Sequence, residues 1–144
     1  MPLNYLVLLM LHFVGLAVGV GASFASFTLR RAAAALPEAE RVSFALRALS
    51  VGKNGSYGLL LLLLSGLAMF FMRGPSAIMA IGGAFHAKLT LVVILCGVVG
   101  YSQALGKRAR EAGGGPALVR LAAVSNAILL LGVGIVICAV IAFR

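Results

Sequence analysis

Apolar residues fill four long runs of this chain, and polar residues gather in the gaps between them. A membrane-spanning helix needs roughly 20 mainly apolar residues. Four stretches meet that requirement: residues 3–29, 51–72, 83–105 and 121–143. The second is built on Tyr57 to Met72 and reaches back towards Val51. The pattern predicts an all-α fold, a single integral-membrane domain over residues 1–144, built as a four-helix transmembrane bundle. The first run has no basic stretch before it and is too long for the apolar core of a cleavable signal peptide, so it is expected to remain as a span.

Composition sharpens the class. Of the 144 residues, 62% are hydrophobic and 10% charged, with a mean hydropathy of +1.14. Soluble domains carry about a quarter of their residues as charged side chains. A net charge of +9 would fit a nucleic-acid partner only if it lay on a soluble face, and here it lies between apolar runs. It therefore reads as a topology signal. Arg30, Arg31, Arg41, Arg47 and Lys53 lie in or beside the first loop (residues 30–50). Lys107, Arg108, Arg110 and Arg120 belong to the third (residues 106–120). The short second loop has Arg73. The positive-inside rule assigns the first and third loops to the cytoplasm and both termini to the outside. In a bacterial inner membrane the termini would be periplasmic.

The first loop has structure of its own. Pro37 suits a helix start, Glu38 and Glu40 suit its positive end, and Val42, Ala45, Leu46 and Leu49 recur at helical spacing. A short interfacial helix or an extension of the second span is expected. The third loop, with Gly113, Gly114 and Gly115, is expected to be a flexible link.

Ionisable groups inside spans are costly and mark function by default. Apart from Lys53 at the loop-side edge of the second stretch, they are His12, His86 and Lys88, with no Asp or Glu in any span. His12 precedes Arg30 by 18 residues and His86 precedes Lys107 by 21. At about 1.5 Å per residue the two rings differ in depth by only roughly 4–5 Å, both in the outer half. At about 100° per residue His12 shares a stripe with Gly15, Gly19, Ser23 and Ser26, and His86 with Thr90, Val93, Gly97 and Gly100. Small residues beneath a histidine admit either a neighbouring helix or a flat ligand, and Gly15 and Gly19 form a helix-packing GxxxG pair. Lys88 is expected to project about 160° away from His86. It would either snorkel to headgroups or meet a ligand carboxylate. Cys96 and Cys138 differ in depth and are not expected to pair. Without a Cys-x-x-Cys-His run, covalent haem attachment is excluded. Met10, Met69, Met72 and Met79 gather towards the outer side, where Met and His together suit Cu(I).

The run His86-Ala87-Lys88-Leu89-Thr90, opening a third span that ends in a basic loop, resembles the HemJ-type protoporphyrinogen oxidase family, which carries a His-x-Lys pair at this place. Leu11-His12-Phe13-Val14-Gly15 is similar to that family's first-helix histidine motif. Arg120 matches an arginine opening its fourth helix. Length and helix order agree as well, and CopD-like copper-resistance membrane proteins would be more distant relatives. The resemblance implies b-type haem, with His12, His86 and Lys88 as the positions carried over, and oxidation of protoporphyrinogen IX as the activity. The family's Trp-Phe-Ala-Gly stretch is replaced by Ala17-Val18-Gly19-Val20-Gly21. A later histidine is replaced by Gly100, and an Asn-Glu pair by Ala123 and Val124.

The expected protein thus binds haem b through axial His12 and His86, with Gly15 and Gly19 leaving room for the macrocycle and Arg73 or Lys88 meeting its propionates. Its role would be electron transfer or redox chemistry in the membrane, with a porphyrin, a quinone or a redox protein as partner and homo-oligomers open to it. A copper site at an outer His/Met cluster, or a ligand-free structural subunit, are the alternatives.

Overall fold

The computed structural model describes residues 2–72 and 83–142. Four helices account for nearly all of them: α1 (Leu3–Ala34), α2 (Glu38–Met72), α3 (Gly83–Glu111) and α4 (Pro116–Ala142). Each is long and apolar enough to cross a membrane. Large apolar side chains point outward throughout, among them Val93 at 71% and Leu130 at 72% exposure. An exterior of that kind requires lipid around it. The chain is a multi-pass membrane protein.

Every helix runs past its apolar span at the basic end. α1 continues through Arg30 and Arg31 to Ala34, where Leu36, restricted by the proline that follows, closes it. α2 starts at Glu38, so the amphipathic stretch of the first loop is an extension of the second span and not a separate surface helix. Its first-turn Glu38 and Glu40 face the positive helix end, and Arg108 and Arg110 sit at the negative end of α3. The Arg41 guanidinium closes the first turn by donating to the carbonyls of Leu36 (3.0 Å) and Ala34 (3.4 Å).

The third loop differs from the flexible link expected. Gly113, Gly114 and Gly115 all have positive φ (64°, 124° and 75°). The amide of Gly114 donates to the Ala109 carbonyl at 2.8 Å and that of Gly113 to Arg110 at 3.3 Å. This paired closure ends a helix with a left-handed residue, which glycine adopts without steric cost. Pro116 then opens α4, its missing N–H being one that a first helical turn would leave unbonded anyway. Gly114 is buried against Val42 of α2, which joins the two basic loops.

The helices form a ring in which α1 neighbours α2 and α4, and α3 neighbours α4 and α2, setting α1 diagonal to α3. Packing is tightest within the hairpins α1–α2 and α3–α4. A Cβ at Gly15 would lie 2.8 Å from the Leu62 amide nitrogen and 2.9 Å from the Gly58 carbonyl oxygen. These glycines are what let α1 and α2 approach backbone to backbone, the main source of helix association in lipid. The hairpins are joined at the basic end by polar contacts. Arg30 Nη2 donates to Asn126 Oδ1 at 2.8 Å, and Gln103 Nε2 donates to Ser56 Oγ at 2.7 Å and to the Gly52 carbonyl at 3.3 Å.

Candidate functional site

Between the hairpins lies a cavity of about 1220 Å³, lined from all four helices. It exceeds the range of about 300–1,000 Å³ common for small-molecule sites. Its walls are mostly Leu, Val and Ala, with His12, Lys88 and Tyr5 towards one end and basic side chains towards the other.

His12 is half-buried on the cavity wall and tied to α2. Its Nδ1 lies 3.1 Å from the Leu62 carbonyl oxygen and 3.1 Å from Ser65 Oγ. A carbonyl only accepts, so Nδ1 carries the proton and donates. The Ser65 hydroxyl donates in turn to the Leu61 carbonyl at 2.7 Å, which leaves its oxygen to accept from His12. Ser65 is 3% exposed, so this relay is shielded from competing water. In the neutral ring the lone pair then belongs to Nε2. Metal-ligating histidines are held in this way, with the second ring nitrogen donating to a carbonyl or carboxylate. Gly66 makes room for the ring: a Cβ there would lie 3.2 Å from His12 Cε1.

The residues expected to cooperate with His12 divide. Lys88 lines the same cavity. His86 does not line the cavity and is exposed. Two residues on one helix lie about 200° apart, so only one of His86 and Lys88 can face inward. The expected His12–His86 pair is therefore not assembled in one cavity wall. Thr90, Val93, Gly97 and Gly100 share the outward face of His86, and a Cβ at Gly97 or Gly100 would meet nothing within 4 Å.

The expected glycine floor also divides. Gly15 is buried under α2, where a Cβ would strike backbone, so it serves packing and offers no ligand surface. Gly19 faces α2 and also lines the cavity. Arg73 and Met79 lie outside the described residues. Met69 lines the cavity, whereas Met10 and Met72 are exposed, at 66% and 47%. Cys96 and Cys138 are free thiols. Among the described residues no three His, Cys, Asp or Glu side chains come together.

Leu62, Ser65 and Gly66 were not singled out by the sequence. Ser65 carried a signal, since it is a polar residue inside the most leucine-rich run of the chain.

Comparison with protein-family models, with curated proteins and with solved structures finds no match to this chain.

Proposed function

We propose that the protein binds b-type haem inside the bundle and serves a redox or electron-transfer role in the membrane. The observation that carries this is the contact of His12 Nδ1 with the Leu62 carbonyl and Ser65 Oγ, which assigns the tautomer. With Nδ1–H held by Leu62 and Ser65, Nε2 is the basic nitrogen and would be the atom that holds haem iron. The donor set fits a macrocycle better than a bare ion. A porphyrin brings four nitrogens of its own, so one well-held histidine in an apolar cavity suffices. The cavity volume is ample, and Lys88 supplies a cation on the same wall system for an anionic propionate. When bound, haem supplies one-electron chemistry. The residues of this chain would hold it, exclude water and fix its orientation.

In this proposal His12 would hold the haem iron and Lys88 would meet an anionic propionate, with no role for His86 inside the cavity. The charge distribution supports an orientation with the basic loops in the cytoplasm and both termini outside, as in a bacterial inner membrane. The resemblance to HemJ-type oxidases is compatible with a haem site, while the porphyrin-oxidising activity rests on that resemblance alone.

Haem titration of the purified protein tests the proposal. Wild type and His86→Ala should give the same Soret band and affinity, and His12→Ala should lose both. Equal loss from both variants would restore a bis-histidine site. No Soret band in the wild type would end the proposal.

A further inference from the structure

The same cavity continues to the basic end of the bundle, where it is lined by Arg30 of α1, Lys53 of α2, and Lys107 and Arg110 of α3. Carboxylates do not balance these four cations. Among the described residues the ion pair is Lys107–Glu111, at 3.9 Å and with both side chains well exposed. Glu38 and Glu40 sit in the first turn of α2. Lys53 lies 13 residues beyond Glu40, about 20 Å along the helix. The cavity mouth thus carries an excess of positive charge beside a low-dielectric interior, where attraction for an anion is weakly screened.

The same end carries neutral polar groups from every helix, Ser26, Ser56, Gln103 and Ser125, with Lys53 between the two α2 residues that Gln103 contacts and the Arg30 guanidinium on Asn126, next to Ser125. Gln103 spends its amide N–H groups on Ser56 and Gly52, so the side chain presents an acceptor and Ser56 is held in place. Arg30 uses one nitrogen on Asn126, which fixes its guanidinium while other N–H groups stay available. Deeper still the walls are aliphatic, with Leu59, Leu63, Leu95, Val99 and Leu129.

Cations and neutral hydrogen-bonding groups together at one end, with hydrocarbon beyond them, match a phospholipid: phosphate and ester carbonyls at the head, acyl chain behind. We propose that the basic end of the cavity binds one anionic phospholipid, its phosphate among Arg30, Lys53, Lys107 and Arg110 and an acyl chain in the aliphatic shaft. Basic pockets between membrane helices are suited to anionic head groups. The lipid would also fill the part of the cavity furthest from His12 and join the two hairpins where they are already hydrogen-bonded.

The test uses the full chain, delipidated in a neutral detergent, and follows thermal unfolding and bound mass. The probes are phosphatidylglycerol, phosphatidylcholine with the same acyl chains, and inorganic phosphate. Phosphatidylglycerol should raise the unfolding temperature and persist as a one-to-one adduct, and the other two at equal concentration should do neither. The double variant Lys53→Gln/Arg110→Gln should lose about 25-fold in phosphatidylglycerol affinity, about fivefold per charge. Both residues are exposed, so its lipid-free unfolding temperature should match the wild type. Its haem titration should be unchanged, which separates failure here from failure of the haem proposal. Equal stabilisation by phosphatidylcholine, or wild-type lipid affinity in the double variant, would overturn the proposal. Full stabilisation by phosphate alone would also overturn it, by assigning the site to a free anion.

Discussion

The Nδ1 of His12 lies 3.1 Å from the carbonyl oxygen of Leu62, one turn before the point where Gly66 clears space for the imidazole ring. The carbonyl is otherwise the acceptor of an intrahelical bond, so α2 supplies a second-lone-pair contact to α1 at this level. The bond does two things. It sets the register of α1 against α2, and it fixes which imidazole nitrogen can bind a ligand. The haem proposal depends on the second.

The support around His12 is separable by substitution. Ser65→Ala removes one acceptor and leaves Leu62, so haem affinity should fall by less than about tenfold. Gly66→Val drives a branched side chain into the ring position, and loss at the upper part of the roughly 10–100-fold range seen for disturbed outer-shell partners is expected. Equilibrium haem titration of the two variants gives the order. A larger loss for Ser65→Ala would mean that the hydroxyl, and not the room at Gly66, controls the ring.

The two glycine stripes should respond oppositely. Gly58→Ala places a methyl against the backbone of α1, close to the Gly15 carbonyl oxygen at 2.9 Å, and should destabilise the α1–α2 hairpin by about 1–3 kcal/mol. Gly97→Ala and Gly100→Ala point into open space and should leave stability unchanged or slightly raised. Unfolding of the purified variants in detergent checks both.

Orientation can be read chemically. Ala112 is exposed in the turn between α3 and α4. In a background with Cys96 and Cys138 replaced by alanine, Ala112→Cys should resist a membrane-impermeant maleimide in intact cells and react after lysis. Ready labelling in intact cells would invert the topology.

Enzymatic activity is expected to be weak or absent. Oxidising protoporphyrinogen requires groups that exchange protons with a large anionic tetrapyrrole. No Asp or Glu lies in any of the four apolar spans, and Gly100, Ala123 and Val124 bring no proton-exchanging side chain either. The gene should therefore fail to rescue a bacterial strain lacking its own protoporphyrinogen oxidase. Growth without added haem, lost again on His12→Ala, would show that this residue set suffices.

Much of the architecture was legible because bilayer thickness sets the length of an apolar run. Each expected span falls on one of the four helices. Helix ends were less legible, since hydropathy marks where lipid stops and not where hydrogen bonding stops. That is why α3 runs on from Leu105 to Glu111, whereas the start of α2 at Glu38 was marked by Pro37, Glu38 and Glu40. At the site, the angular separation of His86 and Lys88 followed from helix geometry, but which of them turns inward did not. That choice depends on how α3 is rotated against α2 and α4, a tertiary quantity carried by contacts such as Gln103 to Ser56. The Gly15 stripe was ambiguous for a similar reason. A small residue admits a ligand or a helix equally well, and only the position of Gly58 opposite it decides for the helix.

The most direct test of the central claim is the absorption spectrum of His12→Gly reconstituted with haem, with and without added imidazole. Glycine removes the side chain and leaves a space that free imidazole can enter. The haem proposal predicts loss of the wild-type Soret band and its return on adding imidazole. A wild-type spectrum in His12→Gly without imidazole would contradict the assignment of His12 as the axial ligand.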